Sequence, residues 1–192
     1  MGDRAGHRAT RQDRHLRQVL GRLGVVRGRY VYAGGVLLRC SRGRYFQVQT
    51  LLESMPPYWA GFAENMYRSF GDPRTEEGRK LLAERSPINK VENIKRPMLI
   101  FHGANDVRCK VTESDTIVAA MLAKNIPVTY IVYPTEGHGF NKPPNQISYI
   151  AIAEAFFARH LGGACEAIVE DLEGSSHEVR AGADILTDLG VA

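Results

Sequence analysis

The chain has 192 residues, enough for one domain or for part of a larger one. Its hydrophobic content of 44% is ordinary for a globular protein, and no run of about 18 apolar residues predicts a membrane span. Three scattered cysteines, Cys40, Cys109 and Cys165, indicate neither a disulfide framework nor a zinc site, and we expect no metal and no cofactor. The N-terminus lacks the apolar core of a signal peptide, so we expect a cytoplasmic protein.

The net charge of +4 conceals an asymmetry along the chain. Residues 1–49 carry eleven arginines, no lysine and two aspartates, a net charge of +9, whereas residues 50–192 carry −5. A basic arm can attract nucleic acid or a membrane surface. No interleaved aromatic residues and no nucleic-acid-binding motif accompany these arginines, so we favour an accident of composition and do not expect nucleic-acid binding.

The first part of the chain is weakly patterned. A marginal helix is predicted over Gln12–Arg22 and a short buried strand over Leu23–Val26, and residues 27–49 show no clear period. The composition changes near Thr50, where an aromatic-rich helical stretch begins. Tyr58, Trp59, Phe62 and Tyr67 in that stretch suit either a substrate pocket or a packed helical cap.

Beyond residue 70 the pattern alternates between helix and strand. Asp72 and Pro73 are typical of a helix N-cap and of the first helical residue. The predicted elements are a helix over Thr75–Glu84, a strand over Met98–Phe101, a helix over Ser114–Lys124, a strand over Val128–Tyr133 and a helix over Gln146–Leu161 whose Ile150, Ala153, Phe156 and Phe157 face inward. This alternation predicts an α/β fold with parallel pairing. Residues 164–192 are acidic and poor in apolar residues, and we expect a loosely held tail.

Two short segments follow the predicted strands and carry residues suited to catalysis. Asp106 lies just past the first strand end, in a loop opened by Gly103, and His138 lies between Gly137 and Gly139 after the second strand. A carboxylate can orient an imidazole and stabilise its cationic form. An aspartate in a turn that bonds its own backbone is the simpler interpretation of Asp106 alone. Because both residues follow consecutive parallel strands, where α/β folds bind ligands, we predict that they meet.

The stretch from Thr50 to Gly163 resembles the C-terminal part of the prolyl oligopeptidase family of serine peptidases, a group with the α/β-hydrolase fold. Several motifs occur in the family's order and spacing over more than half of the chain. The matching pieces are Thr50–Trp59, Gly71–Val91, Arg96–Arg108, Tyr133–Phe140 and Ala155–Gly163.

This resemblance implies a partial α/β-hydrolase fold, a parallel sheet with flanking helices from which the first strands are missing. It also implies that Asp106 is the acid of a catalytic triad and His138 the general base, in the order Ser, Asp, His. The implied substrates are peptides or acyl compounds. The chain then divides into an Arg-rich segment over 1–49 that matches the family poorly, a catalytic part over 50–163 and an acidic tail over 164–192.

The serine that the family carries in a Gly-x-Ser-x-Gly turn is not found. When Leu23–Val26 is aligned with the strand that precedes this turn, Arg29 occupies the serine position. Arginine stays protonated and cannot attack a carbonyl. Ser41 is a weak alternative because bulky Arg42 follows it and no strand signal precedes it, and Cys40 is weaker still. We therefore predict negligible peptidase activity for this chain.

One hypothesis explains both the charge asymmetry and the lost serine turn. A GC-rich gene that is read out of frame yields protein rich in arginine and glycine and free of lysine, which describes residues 1–49. The family sequence would then resume at Thr50. Translation of the parent DNA in its other two frames tests this hypothesis, because one of them should contain the serine turn upstream of Thr50.

Three functions stay open at this point. The chain is a serine peptidase region whose nucleophile comes from an unrecognised residue or another chain, a non-catalytic remnant that acts as a binding or dimerisation module, or a nucleic-acid-associated protein that uses its Arg-rich arm. Since the first strands of the sheet are missing, an open sheet edge favours a homo-oligomer.

Overall fold

The computed structural model describes residues 30–33, 36–42, 45–55 and 57–191. The helix predicted over Gln12–Arg22, the strand predicted over Leu23–Val26 and the position of Arg29 lie outside these residues.

The described residues form one five-stranded sheet whose strands lie in chain order. The strands are β1 (Tyr30–Ala33), β2 (Val36–Arg42), β3 (Met98–Gly103), β4 (Val128–Tyr133) and β5 (Glu178–Ala181). Strands β2, β3 and β4 run parallel, whereas β1 and β5 pair antiparallel at the two edges. The predicted parallel pairing is therefore confirmed in the centre of the sheet, and the edges differ from it.

Five α-helices lie within the described residues. They are α1 (Val48–Glu53), α2 (Ala60–Phe70), α3 (Glu76–Arg85), α4 (Val111–Leu122) and α5 (Pro143–Leu161). Short 3₁₀ helices cover Pro57–Trp59, Pro87–Asn93, Val169–Leu172 and Ala183–Leu189. Helix α4 follows β3 and α5 follows β4, so each of these strands ends in a loop that leads directly to a helix.

The sheet is covered on both faces, which explains why every residue of β3 and β4 is buried. One face packs against α5, with Leu99 and Ile131 in contact with Ile152 and Phe156. The other face packs against α4, whose inward residues are Ile117, Val118 and Met121. Helices α1, α2 and α3 form a smaller cluster around Leu52, Met66 and Leu82.

The described part of the C-terminal tail, residues 164–191, packs onto the fold. Strand β5 extends the sheet beside β4, and Leu172, Ile185 and Leu189 join the apolar core around α5. The expectation of a loosely held tail is therefore wrong. Although the tail is acidic, its few apolar residues recur where they can be buried, and its charges stay at the surface.

The start of α3 also differs from the prediction. Thr75 is the N-cap, and its Oγ1 accepts the N–H of Gly78 at 3.0 Å. Asp72 and Pro73 precede the helix in a turn. The carboxylate of Asp72 accepts the backbone N–H of Arg74 at 2.9 Å, so it bonds its own turn and not a helix end.

Helix α5 begins at Pro143, three residues before the predicted start, and ends before Gly162 as predicted. Its buried residues are Asn145, Ser148, Ala151, Ile152, Ala155 and Phe156. Ile150 is 62% exposed, so the prediction that it faces inward is wrong. Buried hydrogen bonds of Asn145 and Ser148 fix the rotation of the helix and turn Ile150 towards solvent.

Within the described ranges, no helix is long and apolar enough to cross a membrane. Strand β1 pairs with β2 alone among the described strands, so it forms one edge of the described sheet.

Candidate active site

The loop between β3 and α4 holds Asp106 at the carboxyl end of β3. The side chain of Asp106 is fully buried. Its Oδ1 accepts the backbone N–H of Arg108 at 2.8 Å and that of Cys109 at 2.9 Å. These bonds match the simpler interpretation of Asp106 as a turn residue, but they occupy only one carboxylate oxygen. The second oxygen remains free for a partner from another loop.

That partner is His138, which lies in the loop between β4 and α5. Its Nδ1 donates a hydrogen bond to Oδ2 of Asp106 at 2.9 Å. The imidazole is 44% exposed, and its Nε2 has no hydrogen-bond partner among the described residues. An ionised carboxylate only accepts hydrogen bonds, so Nδ1 carries the proton and Nε2 presents a lone pair towards solvent.

Gly103 lets the two loops approach each other. A Cβ at this position would lie 2.2 Å from the carbonyl oxygen of Gly137 and 2.6 Å from that of Glu136. Real side chains do not tolerate such contacts with backbone, so glycine is required here. Gly137 and Gly139 flank His138, yet their φ angles lie outside the left-handed region and a Cβ at either site meets no atom closer than 3.4 Å. The close approach at Gly103 therefore matters more than the flanking glycines.

His102 lies beneath the Asp106 loop and is fully buried. Its Nε2–H donates to the carbonyl of Cys109 at 2.7 Å, and its Nδ1 accepts from the hydroxyl of Ser114 at 2.7 Å. Burial lowers the pKa of His102, so the ring is neutral at neutral pH. The ring thereby ties the end of the Asp106 loop to β3 and α4.

Comparison with known proteins identifies the family. The family model of the prolyl oligopeptidase family matches residues 54–164, which is more than half of the chain. The chain belongs to the prolyl oligopeptidase family. Dipeptidyl aminopeptidase BIII of Pseudoxanthomonas mexicana is 52% identical over 145 residues, which is 76% of this chain and 21% of that protein.

Dipeptidyl peptidase family member 6 of Caenorhabditis elegans is 44% identical over 115 residues, which is 59% of this chain and 16% of that protein. The chain therefore spans about a fifth of the length of the first relative and about a sixth of the second.

Solved structures of other peptidases share the fold. A puromycin-hydrolyzing peptidase of Mycobacterium tuberculosis superposes with a TM-score of 0.59 and 22% identity, over 66% of this chain and 19% of that one. The acylaminoacyl peptidase of Pyrococcus horikoshii gives a TM-score of 0.55 and 22% identity, over 70% and 22%. The predicted partial α/β-hydrolase fold is therefore confirmed.

Arg29, the residue that the sequence interpretation places at the position of the nucleophile, lies outside the described residues. The weak alternative, Ser41, lies within β2 with its Cα opposite that of Ile100, three residues before the end of β3. Ser41 is the next-to-last residue of β2, so the expectation that no strand precedes it is wrong.

A cavity of about 260 Å³ lies beside the Asp106 loop. It is lined by Tyr45, Thr50, Glu53, Ser54, Lys110, Thr112 and Glu113. Burial raises the pKa of Tyr45. The aromatic residues Tyr58 and Phe62 do not line this cavity and are 79% and 57% exposed. Among the described residues, no three histidine, cysteine, aspartate or glutamate side chains gather as a metal site.

The residues that support the pair were not predicted from the sequence. His102 and Ser114 hold the Asp106 loop, and Glu136 and Asn145 hold the His138 loop. Glu136 lies three residues past the end of β4 and directly precedes Gly137. A charged residue so close to a strand end was the one signal in the sequence for this support. Nothing in the sequence indicates the role of Asn145, because its partners are distant along the chain.

Proposed function

We propose that residues 50–163 supply the acid and the general base of a serine peptidase centre that works by acyl transfer on peptide or acyl substrates. The observation that carries this proposal is the 2.9 Å bond from His138 Nδ1 to a buried, backbone-anchored Asp106, with Nε2 left open. Membership of the prolyl oligopeptidase family supports the same chemistry.

The pair suits both proton transfers of this reaction. His138 Nε2 takes the proton of the nucleophile's hydroxyl as that oxygen bonds to the substrate carbonyl carbon. It then gives the proton to the leaving amine as the C–N bond breaks, and water hydrolyses the acyl-enzyme by the same route. Asp106 keeps the imidazole in the tautomer with a free Nε2 and stabilises the imidazolium that forms.

We further propose that this chain by itself lacks peptidase activity. A triad without its nucleophile retains only residual catalysis, and an arginine at position 29 cannot supply one. The match to the family model begins at residue 54, close to the change of composition near Thr50, which supports an out-of-frame origin for residues 1–49.

A serine-directed fluorophosphonate probe tests the lack of activity, because it bonds only to an activated hydroxyl. We expect no labelling of the chain, and equal turnover of a small acyl ester by the native chain and by His138→Ala. Labelling or turnover that disappears in His138→Ala would overturn the claim of inactivity and would locate an unrecognised nucleophile.

The pairing itself is tested by Asp106→Asn and ¹⁵N NMR of the imidazole. In the native chain we expect the proton on Nδ1 of His138. In the variant, the amide of the new asparagine can donate towards Nδ1, and the proton should move to Nε2. His160, which lies in α5 away from the loop, serves as the unchanged control. An unaltered tautomer in Asp106→Asn would contradict the assignment of acid and base.

A second function, a non-catalytic binding or dimerisation module, is favoured by one observation. Tyr58, in the 3₁₀ helix that precedes α2, and Phe62, near the start of α2, expose 79% and 57% of their surfaces. If they form an interface, Tyr58→Ser with Phe62→Ser should lower the molar mass measured by light scattering, whereas the peptidase function predicts no change in mass. A cytoplasmic location and a homo-oligomer formed through the sheet edge stay predictions from the sequence.

A further inference from the structure

The loop that carries His138 is closed by one buried carboxylate. Glu136 is 3% exposed, and its Oε2 accepts the backbone N–H of Asn141 at 3.0 Å while its Oε1 accepts that of Lys142 at 2.9 Å. His138 lies between the residues that these bonds join. Burial acts to raise the pKa of Glu136, but the hydrogen bonds outweigh it and lower the pKa below its ordinary value of 4.5.

Glu136 is in turn held by Asn145, which is 1% exposed on the first turns of α5. The Nδ2 of Asn145 donates to Oε1 of Glu136 at 2.7 Å. Its Oδ1 accepts the backbone N–H of Ser176 at 2.8 Å. A single side chain therefore connects the loop of His138 to the C-terminal segment that precedes β5.

The C-terminal segment makes further contacts with the same region. The hydroxyls of Ser176 and Thr135 are 2.7 Å apart, and Thr135 directly precedes Glu136. The hydroxyl of Ser175 lies 2.7 Å from that of Ser148, which in turn lies 3.0 Å from the hydroxyl of Tyr133 at the end of β4. Ser176 thus contacts the residue before Glu136, and Ser175 contacts α5 through Ser148 and Asn145.

We propose that Glu136 and Asn145 are positioning residues for His138, and that the segment Gly174–Ser176 is part of the support of the general base. None of these groups touches Nε2 of His138, so they act by fixing the loop in which the imidazole stands. A role of these residues in acyl transfer rests on the proposed function. Their role in placing His138 against Asp106 does not.

The location of the carboxylate argues for this role over simple core stability. A buried charge is costly unless it is fully hydrogen-bonded, and three donors meet the carboxylate of Glu136. The charge-assisted bonds of Glu136 all close the turn that presents one exposed histidine. Such bonds are shorter and stronger than neutral ones, which suits a loop whose position must be held closely.

The test uses Glu136→Gln with two readouts that need no catalysis. An amide nitrogen replaces one oxygen. At the position of Oε2 it would face the N–H of Asn141, and at the position of Oε1 it would face the N–H of Lys142 and the Nδ2 of Asn145. We expect at least one of the two backbone amides to exchange with deuterium at least about tenfold faster. The Nδ1–H resonance of His138, which reports its bond to Asp106, should broaden or disappear.

The matched control is Asp188→Asn, which weakens the attachment of the same C-terminal region through Arg159 but leaves Asn145 and Glu136 intact. It should change both readouts by no more than about twofold, because the pair is partly exposed. A sharper test is the double variant Glu136→Gln with Asn145→Asp. It reverses donor and acceptor between the two positions while Ser176 N–H keeps its acceptor, so part of the lost protection should return.

An unchanged Nδ1–H resonance and unchanged exchange in Glu136→Gln would overturn the proposal. Amide exchange that is as fast in the double variant as in the single variant would also overturn it. If Glu136→Gln does not fold, Ser176→Ala decides, since it removes one hydroxyl and leaves Glu136 charged. A weaker Nδ1–H resonance of His138 then supports the role of the C-terminal segment, and an unaltered resonance overturns it. The exchange rates and the Nδ1–H resonance do not depend on activity. A probe or ester result that contradicts the proposed function would therefore leave this test of Glu136 and Asn145 unchanged.

Discussion

The two loops of the candidate site hold their functional groups by different means. Asp106 is fixed by backbone N–H groups two and three residues further along the chain. His138 stands in a loop closed by Glu136, which bonds Asn145 and, through it, Ser176. The position of the acid therefore depends on residues that are close along the chain, whereas the position of the base depends on residues brought together by the fold.

Removal of the C-terminal region, on which the loop of His138 depends, should have the largest effect. A chain that ends at Gly163 loses Leu172, Ile185 and Leu189, each worth roughly 1.5–3 kcal/mol when buried. The sum, on the order of 5 kcal/mol, approaches the whole stability of a small domain. We expect no cooperative urea transition in tryptophan fluorescence, and a truncated chain that unfolds at the native midpoint would contradict the assignment of the tail to the core.

Gly103→Ala affects both loops together. The new Cβ would lie 2.2 Å from a backbone oxygen of the opposing loop, so the two loops must separate. We expect a loss of about 3 kcal/mol in the free energy of unfolding, as for severe overpacking. Gly139→Ala is the matched control, because its Cβ would meet nothing closer than 3.9 Å. Equal urea midpoints for the two variants would show that the loops tolerate separation.

As the pH falls, the stability contributed by the two loops should be lost at different pH values. The pKa of His102 lies below its ordinary value of 6.5 because of burial, so the unfolded chain takes up this proton first. Stability should therefore decline as pH falls below 6.5, with contributions of the same sign from His160 and His177. The share of Glu136, whose folded pKa is also lowered, is present above pH 4.5 and declines below it.

Urea midpoints measured from pH 8 to pH 3 check this order. His102→Gln should flatten the step that begins near 6.5, and Glu136→Gln should flatten the one below 4.5. A stability that is constant between pH 6.5 and pH 5 would contradict the buried, neutral state of His102.

The smallest expected effect comes from Asp188→Asn. Arg159 and Asp188 are 26% and 35% exposed, so their ion pair is partly screened by water. We expect a loss of at most about 1 kcal/mol, measured by urea unfolding. A larger loss would mean that ion pairs, and not buried apolar residues, attach the C-terminal region.

Several features could be predicted because they depend on short stretches of sequence. The strand over Val128–Tyr133 is apolar and β-branched, and the structure has it within the same bounds. The end of α5 at Gly162 follows from the positive φ of 74° at this residue, which favours glycine. The N-cap of α3 could not be predicted, because Asp72 and Thr75 are equally suited to capping and only the observed turn selects between them.

The sequence by itself determined the family, the parallel strands and the two segments that carry Asp106 and His138, because hydrophobic period and loop motifs are local properties. Only the tertiary structure decided that the acidic tail belongs to the core and that Glu136, Asn145 and Ser176 support the base. The bonds of Asn145 to Glu136 and Ser176 join residues 9 and 31 positions apart, and such pairings are set by how helix and sheet pack and not by neighbouring residues.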